Sequence, residues 1–191
     1  MIRSAAAITA VLVCAALGPG CVTRQRAETA LSHQKMGQVY FDEADFPGSV
    51  GELRESIRLN PHHPDSHHIL ANCYFVMERY EDAHKEFRTA TRLQNPFPEA
   101  NVNWGALYAA EGRWEEALAQ LRVAVEEPTY REVGRAYHNM GWAYYQLGRY
   151  DEAREAYERV LTVTRQFCPS VLNLGMVVEA QGDLDGAEEL Y

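Results

Sequence analysis

The sequence predicts an all-α solenoid of about five helix–turn–helix units, and three observations predict it. Tyr40, Tyr74, Tyr108 and Tyr144 stand 34, 34 and 36 residues apart, a period that marks stacked supersecondary units. The same register holds at other offsets. Gly37, Ala71, Gly105 and Gly141 lie three residues before the tyrosines, with Gly175 a further 34 on. Ser49, Ala83, Ala117 and Ala153 lie nine after them, and Leu53, Phe87, Leu121 and Tyr157 four beyond those. Glycine and proline then punctuate the chain at the expected intervals.

Taken in order, the helices are predicted over 28–43, 47–59, 64–77, 80–93, 98–111, 114–126, 131–147, 150–165, 168–181 and 184–191. The turn DFPG separates the first pair, EGRW the third, LGRY the fourth and QGDL the fifth. Pro61, Pro64, Pro98 and Pro169 mark helix starts or ends, because proline lacks the donor that a helix interior needs. Within a unit, the small residues let two helices approach closely and the large ones fill the space between them. One unit cannot bury its own apolar face, so stacking makes the core.

Small, aromatic, small and large residues at these offsets in a 34-residue period resemble the tetratricopeptide (TPR) repeat. The resemblance implies a right-handed superhelix with units at about 30–63, 64–97, 98–133, 134–167 and 168–191. The last unit stops at its twenty-fourth position, so the sequence reads as a fragment or as an end that another chain covers.

The N-terminus carries a different signal. Arg3 is followed by the apolar block Ala5–Leu17, then by Gly18-Pro19-Gly20 and Cys21. Thirteen apolar residues are too few to span a bilayer, which takes ~20. A charged start, short apolar core and small-residue exit describe a signal peptide over 1–20. Cys21 directly after it resembles the acylated first residue of a bacterial lipoprotein, with 21–29 as a short tether. Val22, where an Asp would resemble an inner-membrane retention signal, favours the outer membrane. The net charge is −9, and −10 without residues 1–20, whose only charge is Arg3. Such a surface repels nucleic acid and anionic headgroups, so nucleic acid is excluded as a partner and lipid must hold the chain at a membrane. Cys73 and Cys168 are expected to be unpaired, largely buried thiols.

The run NPHHPDSHHIL (60–70) has His63 and His67 four apart, as ligands on one helix turn would be. No cysteine or tight carboxylate set completes a metal shell, and neither a Ser/His/Asp triad nor a phosphate loop is present. The expectation is therefore no enzyme, no metal, no cofactor and no small-molecule substrate.

Helix A of a TPR unit lines the concave face. Here that places His68, Asn72 and Phe75 in the second unit and Asn103 in the third. Arg135, Asn139, Trp142 and Tyr145 follow in the fourth, and Asn173 in the fifth. Asn103, Asn139 and Asn173 occupy one position in three successive units, and a ladder of amides can pair with an extended peptide. His68, Asn72, Asn103, Arg135 and Asn139 resemble the carboxylate clamp of peptide-binding TPR domains, with His68 where Lys is expected and Asn139 where a basic residue is expected. The alternative is that these amides pair only between neighbouring helices.

A narrower resemblance covers nearly all of the chain beyond Cys21. Asn103, Gly105, RWEEA (113–117), PTYREVGRAYHNMG (128–141) and the 36-residue step from Gly105 to Gly141 resemble the pilotin family of type IV pili. That resemblance implies an outer-membrane TPR lipoprotein on the periplasmic face, which binds secretin subunits and promotes their assembly. A generic periplasmic TPR scaffold for cell-wall or envelope complexes is the alternative, and a His-metal hydrolase comes third.

Overall fold

The computed structural model describes residues 19–163 and 168–190, and among them ten α-helices form in chain order. They are α1 (Pro19–Asp42), α2 (Phe46–Leu59), α3 (Pro64–Val76), α4 (Tyr80–Leu93) and α5 (Pro98–Ala110). Then come α6 (Trp114–Val125), α7 (Val133–Gln146), α8 (Tyr150–Val163), α9 (Cys168–Ala180) and α10 (Leu184–Glu188). Each helix packs against the next. In addition α1 touches α3, α3 touches α5, α5 touches α7 and α7 touches α9, whereas the even helices do not touch one another. Odd helices therefore form the inner layer and even helices the outer one. This is the all-α TPR solenoid that the repeat predicts.

The spacing works as the side-chain sizes require. Ser49, Ala83, Ala117 and Ala153 are fully buried, as are Leu53, Phe87, Leu121 and Tyr157 four residues beyond them. A Cβ built on Gly141 would lie 2.7 Å from the Tyr157 ring, and one on Gly105 would lie 2.9 Å from Leu121 Cγ. Ser49 and Ser56 fill small positions in the first unit, and each hydroxyl donates to a carbonyl of α1, Gly37 O and Ala30 O, at 2.7 Å.

Inner and outer units close their turns differently. The Arg79, Arg113 and Arg149 guanidiniums lie 4.5, 4.5 and 4.7 Å from the ring centres of Tyr74, Tyr108 and Tyr144. Each arginine also binds the carboxylate three residues on, at Asp82, Glu116 and Glu152. In the first and fifth units an aspartate replaces the arginine. Asp45 accepts from Gly48 N at 3.0 Å and Asp183 from Gly186 N at 2.9 Å, capping α2 and α10. DFPG is therefore a helix start and not the turn itself. The turn residue is Ala44, whose φ of 60° is matched by Glu78 at 58°, Gly112 at 73°, Gly148 at 71° and Gly182 at 89°.

Three boundaries differ from the sequence reading. Helix α1 begins at Pro19, so the stretch read as a tether is helical. An Arg24–Glu28 pair at 2.9 Å supports that turn, and Arg26 Nη2 donates to Arg58 O at 3.0 Å, tying α1 to the end of α2. Helix α7 starts at Val133, because Thr129 Oγ1 donates to Glu127 Oε1 at 2.6 Å and Tyr130 N to Glu127 O at 3.1 Å, closing a turn first. Helix α10 ends at Glu188. Residues 1–18, most of the expected signal peptide, lie outside the described residues, as do the side chains of Cys21 and Cys168. Cys73 is free and buried, 3.1 Å from Ser49 Oγ. No described helix is long and apolar enough to cross a membrane.

Candidate functional site on the concave face

Helices α3, α5, α7 and α9 supply the inner layer, and four of the expected groove residues meet there. Arg135 Nη2 donates to Asn103 Oδ1 at 3.0 Å. Asn103 Nδ2 donates in turn to Asn72 Oδ1 at 3.1 Å and His68 Nε2 at 2.9 Å, and Asn72 Nδ2 donates to His68 Nε2 at 3.2 Å. Donation runs one way, from the guanidinium to the imidazole.

That direction requires a neutral His68 with its proton on Nδ1. Burial, with the Arg135 charge adding to it, pushes the imidazole down to about 4. The ring is also packed against Phe97 edge to face, with centres 5.0 Å apart. His68 therefore brings no charge where a clamp would have lysine, and Arg135 is the cation of this cluster, 4.0 Å from Glu132.

The second part of the groove is aromatic. Trp142 stacks on Tyr145 with centres 5.7 Å apart and planes at 17°, and Tyr145 packs on Tyr150 at 5.7 Å. Leu172 on α9 is half exposed beyond them. At the first end Phe75 meets Tyr80 edge on at 6.2 Å.

The three equivalent asparagines do not make a ladder. Asn103 joins the polar cluster, while Asn173 Nδ2 donates to Tyr157 OH at 3.3 Å. Asn139, half-buried between them, has no hydrogen-bond partner among the described residues. The ladder fails at Asn173 because Tyr157, the large core residue of the preceding helix, brings a hydroxyl that Leu53, Phe87 and Leu121 of the earlier units do not. Asn103 thus satisfies the internal-pairing alternative, and Asn139 retains free donors and acceptors.

The histidine run separates. His67 Nδ1 meets Glu86 Oε2 at 2.6 Å and its Nε2 faces Pro61 O at 3.1 Å, His63 meets Ser66, and His68 faces the groove. Among the described residues no three His, Cys, Asp or Glu side chains are placed to share a metal ion.

Two features were not singled out from sequence. Trp104 Nε1 donates to His84 Nδ1 at 2.8 Å, and His84 Nε2 meets Glu111 at 2.7 Å, joining the second and third units. Ties also recur from helix A to helix B, nineteen residues apart: His33–Glu52 at 2.6 Å, His67–Glu86 at 2.6 Å and Asn101–Gln120 at 2.9 Å. His33, His67 and Asn101 are 34 apart, so the repeat alignment contained this signal.

Residues 97–166 match the tetratricopeptide repeat family model. Over 182 residues the chain is 22% identical to the type IV pilus assembly protein PilF of Pseudomonas aeruginosa, spanning 90% of this chain and 72% of that one. The solved structure of P. aeruginosa PilF superposes with a TM-score of 0.82 over 87% of this chain and 75% of that one, at 22% identity. The structure of PilW, described as a widely conserved type IV pilus biogenesis factor, superposes with a TM-score of 0.78 at 22% identity, covering 84% and 74% of the two chains.

Proposed function

We propose that this TPR protein is an outer-membrane lipoprotein, anchored through Cys21 on the periplasmic face, that binds secretin subunits and promotes their assembly in type IV pilus biogenesis. The observation that carries the reading is the similarity to PilF along nine-tenths of the chain, in sequence and in fold. The groove is suited to the task. It presents a cation at Arg135, an open amide at Asn139 and a stacked aromatic pair at Trp142 and Tyr145. Aromatic anchors and arginine supply most of the energy at protein interfaces. Function then rests on binding rather than catalysis.

Deleting the gene should abolish secretin multimers in the outer membrane while leaving monomer, and the full-length gene should restore them. Unchanged multimers on deletion would favour the cell-wall scaffold instead. Cys21→Ser should leave the solenoid folded and release it from the membrane fraction, since several acyl chains hold a protein far more firmly than one. A Cys21→Ser protein that still sediments with outer membranes would refute the anchor.

A further inference from the structure

A cleft of about 250 Å³ opens between α7 and α8, away from the concave face. Its floor is Met140 and Ala156, its walls the rings of Tyr137 and Tyr144, and its rim Glu152, Glu155 and Arg159. The repeat explains why it exists. In the first three units the corresponding space between helix A and helix B is crossed by the polar ties His33–Glu52, His67–Glu86 and Asn101–Gln120. The 36-residue step that follows puts Tyr137 and Ala156 at those two positions. Alanine cannot reach across, so the fourth unit is left with an open cleft there.

We propose that this cleft binds an arginine side chain of a partner protein. The lining asks for an apolar stem below and a cationic, donor-rich head above. Met140, Ala156 and the Tyr137 ring suit a three-methylene stem. At the rim, Glu152 takes both bonds from Arg149 on one oxygen, Oε1, at 2.9 and 2.7 Å. Glu155 is 71% exposed and meets Arg159 only at 3.7 Å. Two carboxylates therefore retain acceptors beside one loosely held cation, and the chain as a whole carries −9. A planar guanidinium can bind carboxylates in pairs and lie on a tyrosine face, which an ammonium does less well. The molecule already uses this combination three times. Arg79, Arg113 and Arg149 each lie over a tyrosine and bind a carboxylate. Tyr144 is occupied in this way by Arg149, while among the described residues no such cation lies over the Tyr137 ring. The cleft uses none of the groove residues, so the inference stands apart from the secretin reading.

The test is a titration of the full ¹⁵N-labelled chain with N-acetyl-arginine methylamide, followed by amide shifts, with the norvaline and lysine derivatives as comparison probes. Saturable shifts centred on 137, 140, 155 and 156 are expected, in the millimolar range for a single residue, with the lysine probe at least threefold weaker. Tyr137→His/Ala156→Glu rebuilds the tie of the first two units and should abolish the shifts in a protein whose circular dichroism is unchanged. Glu155→Gln, an exposed substitution, should weaken the arginine probe at least threefold and serves if the double variant does not fold. Equal shifts from the norvaline probe, equal binding of lysine, shifts scattered over other acidic positions, or full binding by Glu155→Gln would each overturn the proposal.

Discussion

The two ends of the concave groove are built from the same helix positions and behave differently. At the first end His68, Asn72, Asn103 and Arg135 satisfy one another across three successive inner helices. At the second end Asn139 is unpaired, Trp142 and Tyr145 stack in the open groove, and Asn173 is turned onto Tyr157. The contrast continues between the layers, where polar ties cross units one to three and a cleft replaces the tie in unit four. A side chain already bonded to its neighbours must exchange those bonds to hold a ligand, and the net gain is small. The uncovered part of a stacked ring exchanges only water. On the proposed function, the second end is expected to anchor the partner, and the first is a polar wall with one cation at its edge.

Both ends hang on one scaffold, so the largest expected effect is its loss. Ala117 is fully buried at the contact of α5 and α6, and Ala117→Glu places a carboxylate there with no partner. A cost of several kcal/mol is expected, on the order of the largest single-site effects. Thermal melting checks it, and a transition near that of the wild type would displace Ala117 from the interface.

Next come substitutions that separate the ends. Trp142→Ala should weaken partner binding by tenfold or more and barely move the melting temperature, because the ring is only partly covered. Asn103→Ala should do the reverse. It strips His68 Nε2 and Asn72 Oδ1 of a donor and Arg135 of an acceptor, at ~1–2 kcal/mol of stability, with a smaller effect on affinity. Equal effects of both variants on affinity and melting would erase the distinction.

The first end carries its own pH dependence. The His68 imidazole titrates near 6.5 in the unfolded chain and at about 4 in the fold. Above pH 6.5 both states are neutral and the full stability is present. Between 6.5 and 4 the unfolded chain takes up a proton that the fold refuses, so stability falls as pH drops, by about 3 kcal/mol at most. Denaturant midpoints from pH 7 to 4 should show a shallower slope in His68→Asn than in the wild type. Parallel slopes would contradict a neutral, buried His68.

The smallest effect lies in the turns. Ala44 and Glu78 hold φ of 60° and 58° without being glycine, whereas the later three turns use glycine at 112, 148 and 182. Glu78→Gly should stabilise by ~1 kcal/mol, relieving a left-handed conformation that costs side-chain-bearing residues about that much. An unchanged or lower melting temperature would show that Glu78 is not strained there.

Much of this was legible in the sequence, because a repeat read in register reports each position several times. Gly37, Ala71, Gly105 and Gly141 define the close approach four times over, and the helix bounds from 46 to 163 follow within two residues. The N-terminal extension of α1 was hidden because residues 19–27 have no counterpart in the repeat register. The groove was half legible. The inner-layer position of each candidate follows from the period, but its partner depends on a neighbour of different chemistry. Tyr157 draws Asn173 off the expected ladder, and the burial that keeps His68 neutral is set by Phe97, which stands 29 residues away. The ties at 33–52, 67–86 and 101–120 were encoded in the same period and required reading positions in pairs.

The most direct test of the central claim is calorimetry of a purified secretin subunit with the soluble solenoid from residue 22 onward, comparing wild type, Trp142→Ala and Asn103→Ala. Saturable binding is expected for the wild type, with a loss of tenfold or more for Trp142→Ala and a smaller loss for Asn103→Ala, circular dichroism being unchanged. Wild-type affinity in folded Trp142→Ala would contradict the assignment of the aromatic end of the groove as the partner's anchor.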